Sequence, residues 1–147
     1  MYTIQLNYEE KMNKENNGYW KERLVACQIG GEVEHKKDKT PFYMDSDVRS
    51  LHMSVKSARF TLASGNINRG ATLEEKIQDY IARTASTTVA YVTNDLLVYI
   101  MTLDEFADFM RAFCKLEKES TRNGGAYKVK CGHESAALIE WLQARVA

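Results

Sequence analysis

A chain of 147 residues, 44% hydrophobic and 27% charged, has the length for one domain around one core and the make-up of an ordinary folded protein. Its 20 Lys+Arg balance 20 Asp+Glu, so the formal net charge is zero; this argues against a chain that coats nucleic acid through overall charge, and any basic footprint must be local. Three cysteines, Cys27, Cys114 and Cys131, stand far apart with no CxxC pair, which argues against both a disulfide framework and a zinc site.

The N-terminal stretch "MYTIQLNYEEKMNKENN" is polar and lacks the apolar centre of a signal peptide. No stretch approaches the ~18 apolar residues of a membrane span. A cytoplasmic protein that meets no membrane is the expectation. The spacing of Trp20, Leu24 and Cys27 predicts a helix from about Tyr19, after the break at Asn16, Asn17 and Gly18. "IGGEVEHK" reads as a glycine turn entering a strand, and the charged loop "KKDKTP" follows it.

From Phe42 to Ala63 the pattern is extended, with Leu51, Met53 and Val55 facing one way and His52, Ser54 and Lys56 the other. "SGNINRG" is a loop. "TLEEKIQDYIAR" opens with Thr72 and Glu75 at capping-box spacing and carries the stripe Leu73, Ile77, Tyr80 and Ile81. "TTVAYVTNDLLVYIM" predicts a hairpin turning at Asn94-Asp95. Thr102 and Glu105 form a second capping-box pair, opening the helix "LDEFADFMRAFCKLEKE" with the stripe Leu103, Phe106, Met110 and Phe113. "RNGG" stops it, "AYKVKC" is a short strand, and "HESAALIEWLQARV" is a closing helix packed through Leu138, Leu142 and Trp141. No linker or repeat divides residues 1–147. The expected fold is a single α/β domain, a central mixed sheet flanked by helices.

Lys56 stands out within an otherwise apolar strand. Ser54, two residues away, shares its face, and Asp45 and Asp47 lie shortly upstream. If residues 42–47 pair with 53–62, an aspartate meets Lys56 at a sheet edge. A carboxylate beside a lysine suits a hard divalent cation and an attacking water. The bland alternative makes Lys56 a solvent-facing strand lysine and the two aspartates turn formers.

A helix bearing a glutamate ("WKERLVA"), a glycine turn, a strand, then "SDV" and "SVKS", resembles the core of the PD-(D/E)xK nuclease superfamily, which includes restriction endonucleases and Holliday-junction resolvases. The resemblance covers about residues 19–63. It implies a restriction-endonuclease-like sheet and a Mg²⁺- or Mn²⁺-dependent endonuclease that hydrolyses DNA phosphodiesters, acting as a homodimer. It assigns the metal to Asp47, with Asp45 or Glu34 assisting. Lys56 would position the water, Ser54 would stand where the family has an acid, and Glu22 would orient a metal-bound water. The serine departs from the family pattern and keeps a second reading open: a catalytically degenerate nuclease-fold module that binds DNA or a protein partner.

Basic residues around these positions are the candidate DNA contacts: Lys36, Lys37, Arg59, Arg69, Lys128 and Lys130, with Lys39 and Arg122 nearby. Lys128 and Lys130 share one strand face. Gathered along one groove they would contact phosphates; scattered, they are ordinary solubilising charge. His35, His52 and His133 are isolated, and no zinc-protease, Walker or dinucleotide motif is present.

Overall fold

A computed structural model describes residues 1–6, 52–62, 72–118 and 127–147. Along them run β1 (Tyr2–Gln5), β2 (Met53–Ser57), β3 (Thr61–Leu62), α1 (Leu73–Arg83), β4 (Thr88–Val92), β5 (Leu97–Thr102), α2 (Leu103–Phe113), β6 (Cys114–Lys118), β7 (Tyr127–Cys131) and α3 (Ala136–Gln143). The expected mixture of helix and strand with a central mixed sheet is present. Its described strands divide between two sheets, of order β1-β5-β4-β2 and β3-β7-β6.

The hairpin expected at 87–101 forms as β4 and β5, antiparallel from Thr88↔Thr102 to Val92↔Val98. The Leu96 N–H donates to the Thr93 carbonyl at 3.0 Å, the Thr93 N–H donates to the Leu97 carbonyl at 2.9 Å, and Leu96 has φ 63°. Asn94 and Asp95 are thus the centre of a turn completed by a left-handed residue, a three-residue loop that matches the strand twist. On the far side of β4, β2 runs parallel, from Met53↔Thr88 to Ser57↔Val92. Parallel neighbours need a crossover, and α1 lies within it.

Two expectations are corrected and one strand is added. The extended run breaks after Ser57: Phe60 donates its N–H to the Ser57 carbonyl at 3.1 Å and Arg59 takes φ 65°, so the chain turns and β3 joins the second sheet. The helix expected to continue through Glu119 ends at Phe113, and Cys114–Lys118 is strand β6. "KLEKE" favours helix by propensity. Yet Cys114 is buried and Leu116 partly buried while Lys115 and Glu117 are exposed, a period of two, and pairing with β7 from Cys114↔Cys131 to Lys118↔Tyr127 decides for strand. A strand is also added at the start, where β1 pairs antiparallel with β5 from Tyr2↔Ile100 to Gln5↔Leu97. The helix expected from Tyr19 and the strand at residues 42–47 lie outside the described residues.

Alternation along the central strands sorts the core into two faces. Val89, Tyr91, Tyr99 and Met101 share one cluster with Phe106, Phe109 and Met110 of α2, Ile77 and Tyr80 of α1, Leu138 and Leu142 of α3, and Val129 and Cys131 of the second sheet. Met53, Val55, Ala90, Val92, Val98 and Ile100 form the other, with Leu6. Aromatic rings dominate the first: Phe109 lies 5.2 Å from Tyr91, 6.1 Å from Phe106 and 5.9 Å from Trp141, centroid to centroid. Each fully buried ring contributes about 2–3 kcal/mol through the area it removes from water.

Helix starts follow the sequence closely. Thr72 Oγ1 accepts from the Glu75 N–H at 3.1 Å. At α2 the box is complete: Thr102 accepts from the Glu105 N–H at 3.1 Å, and the Glu105 carboxylate accepts from the Thr102 N–H at 3.0 Å. Ser135 caps α3. Arg111 of α2 holds Glu74 of α1 through Nη2 at 2.6 Å and Nε at 2.8 Å, lowering the Glu74 carboxyl to about 2. Both side chains are largely exposed, so this pair adds little to stability. Among the described residues no helix is long and apolar enough to cross a membrane.

Candidate nucleic-acid interface

Of the twelve residues given roles above, the structure describes five: Ser54, Lys56, Arg59, Lys128 and Lys130. Glu22, Glu34, Lys36, Lys37, Asp45, Asp47 and Arg69 lie outside the described residues.

Ser54 and Lys56 share a face, as their spacing requires, and the register opposes them to Val89 and Tyr91. That is the face α1 and α2 cover. Ser54 is accordingly 3% exposed, and Lys56 is half-buried. Magnesium takes a near-octahedral set of oxygens, including one or two carboxylates. On this face β2 offers that ion one neutral, buried hydroxyl, that of Ser54. Among the described residues no group of three or more His, Cys, Asp or Glu could hold a metal. The carboxylates to which the resemblance assigns the metal, Asp47, Asp45 and Glu34, lie outside the described residues.

The second sheet has a different character. Its inner face carries Leu62, Val129, Cys114 and Cys131, all buried. Alternation sends Thr61, Lys115, Glu117, Lys128 and Lys130 to the outer face. The register then sets Lys115 directly opposite Lys130, and Glu117 opposite Lys128, with Thr61 flanking Lys130 on the other side. Three ammonium groups stand against one carboxylate. Glu117 Oε2 lies 3.2 Å from Lys130 Nζ, a diagonal pair with both side chains partly exposed. Like charges directly opposite on a sheet repel, and at Lys115–Lys130 the Glu117 carboxylate offsets part of that repulsion.

Lys128 and Lys130 therefore fall on one surface, as their spacing suggested. Lys115 joins them and was missed, because residues 115–118 read as helix. Arg59 is exposed, and its N–H donates to the Gly132 carbonyl at 3.1 Å, which ties its backbone to the end of β7.

One further lysine is buried against this sheet. Lys76 is 2% exposed within α1, and its ammonium donates to the Tyr127 carbonyl at 2.5 Å, tying α1 to the first residue of β7. It lies three residues from Leu73 and four from Tyr80, so helical spacing alone places it on the buried stripe.

Elsewhere a cleft of about 520 Å³ lies between the β4–β5 turn and α3, lined by Asn94, Asp95, Glu134, Ser135, Ile139 and Glu140 among others. Three carboxylates make it unsuited to phosphate. His52 and His133 are both exposed. No protein-family model, curated protein or solved structure matches the chain.

Proposed function

We propose that the chain is a nucleic-acid-binding module that holds backbone phosphates on the outer face of the β3-β7-β6 sheet. The observation that carries this reading is the grouping of Lys115, Lys128 and Lys130 on one sheet face in a chain of zero net charge. Lysine recognises phosphate as a point charge and carries no base code, so binding through this face is insensitive to sequence. Salt tests it. Each phosphate contact contributes roughly −0.9 to the slope of log K against log salt on duplex DNA, so three contacts weaken binding about 40-fold between about 50 and 200 mM salt. Fluorescence anisotropy on a labelled duplex compares the wild type with Lys115→Ala/Lys128→Ala/Lys130→Ala. The variant is expected to lose most of the affinity and nearly all of the slope; equal affinity and slope in the two proteins would refute the reading.

A second reading, the metal-dependent DNA endonuclease, is favoured by two features: β2 and β4 are parallel with α1 between them, and Lys56 stands half-exposed on β2. Bound near Asp47, Mg²⁺ or Mn²⁺ would supply Lewis acidity and a more acidic water. Asp45, Glu34 and Glu22 are the carboxylates that would complete such a site. Plasmid cleavage with either metal, lost in both Lys56→Ala and Asp47→Ala, supports this reading; cleavage surviving either change overturns it. Homodimerisation belongs with it and is read from the mass in solution.

A further inference from the structure

Cys114 opens β6, Cys131 closes β7, and the register sets them directly opposite each other. Antiparallel strands alternate hydrogen-bonded with non-hydrogen-bonded pairs, and side chains approach most closely at the second kind. Two bonds assign this pair to the second kind. The Cys131 N–H points away from β6, donating to the Phe60 carbonyl on the β3 side at 2.9 Å. The Cys114 N–H turns back to the Met110 carbonyl as the C-cap of α2. Facing residues at such a position stand about 4.5 Å apart at Cα, inside the roughly 4.4–6.8 Å that a disulfide spans.

Both thiols are reduced, at 6% and 0% exposure. They are joined to each other by a hydrogen bond. Cys131 is the more acidic partner: the hydrogen bond from Cys114 holds it below the ordinary thiol value, and a backbone bond from Gly132 adds to this against the opposing effect of burial. Cys114 is pushed up by its hydrogen bond with Cys131 and by burial. Two thiols facing each other at this spacing can close a disulfide once either sulfur is oxidised, the other resolving it.

We infer that Cys114 and Cys131 are a redox modification site, a peroxide-sensitive dithiol that closes to a cross-strand disulfide. The Cys131 thiolate attacks hydrogen peroxide and breaks the O–O bond; a proton completes one water, and the sulfur becomes a sulfenic acid. The Cys114 thiol then attacks that sulfur, forming the S–S bond and releasing a second water. Two electrons leave the two sulfurs and reduce one peroxide. Burial restricts the oxidant to a molecule near water in size, which excludes bulky disulfides such as oxidised glutathione. Closure fastens β6 to β7, the two strands that carry Lys115, Lys128 and Lys130. It stands on the register and does not depend on what that lysine face binds.

The experiment treats folded Cys27→Ser protein with hydrogen peroxide, unfolds it, alkylates free thiols and digests with trypsin without reductant. The expected product joins peptide 112–115 to peptide 131–145, on a chain of monomer mass that has lost two hydrogens. Dithiothreitol separates the two peptides, and neither Cys114→Ser nor Cys131→Ser yields the product. Tm of the oxidised protein rises by several degrees, since the crosslink restricts the unfolded chain more than it strains the sheet. Should Cys27→Ser not fold, the wild type gives the same linked pair with peptide 24–36 left out of it. Full alkylation of both thiols after peroxide, over-oxidation of either without a link, or a link between two chains would each overturn the inference.

Discussion

Tyr91 is fully buried on the central strand β4, and its hydroxyl has no hydrogen-bond partner among the described residues. Replacing it with phenylalanine keeps the ring contacts with Phe109 at 5.2 Å and Phe60 at 6.5 Å while deleting only the oxygen. A hydroxyl buried without a partner costs about 1–3 kcal/mol in proteins. Tyr91→Phe is therefore expected to be more stable than the wild type at pH 7 by about 1 kcal/mol or more. The same burial, with lesser contributions from Cys131, Glu134 and Cys114, raises the Tyr91 phenol well above its ordinary value of 10.0. Below that pH both the folded and the unfolded chain hold the proton, and the group adds no pH dependence. Above it the unfolded chain releases a proton that the folded chain retains, so stability falls by up to about 1.4 kcal/mol per pH unit. The gap between variant and wild type should widen accordingly from pH 10 upward. Urea unfolding at pH 7 and at several values above 10 measures both effects, provided the m-value is unchanged. A variant less stable than the wild type at pH 7 would show that the hydroxyl is satisfied in solution, by a buried water for example, and the reasoning would fail.

Thr102→Ala removes one half of the capping box of α2 and should lower stability by about 1 kcal/mol, read as a shift in the urea midpoint. Arg59→Gly relieves a left-handed backbone at an exposed position. It is expected to stabilise the fold by about 1 kcal/mol in thermal unfolding, while weakening nucleic-acid binding if Arg59 reaches phosphate.

Local chemistry is legible in the sequence alone. Both helix starts follow from Thr72/Glu75 and Thr102/Glu105, because capping depends only on residues three apart. The β4–β5 hairpin follows from apolar runs around Asn94-Asp95, which bring both strands within a few residues of each other. The shared face of Ser54 and Lys56, and of Lys128 and Lys130, follows from strand alternation. Each of these is decided over a few residues of chain.

What required the tertiary structure is pairing between segments far apart in sequence. Residues 114–118 carry helix-favouring side chains, and only β7, on the other side of residues 119–126, makes them a strand. With that pairing come Lys115 opposite Lys130 and Cys114 opposite Cys131, neither visible while β6 reads as helix. Ser54 looks open to a ligand on a strand considered alone; the helices packed over its face bury it. Alternation along a strand fixes which side chains share a face, but partner and covering layer come from distant parts of the chain, and those decide whether a face meets solvent, a ligand or the core.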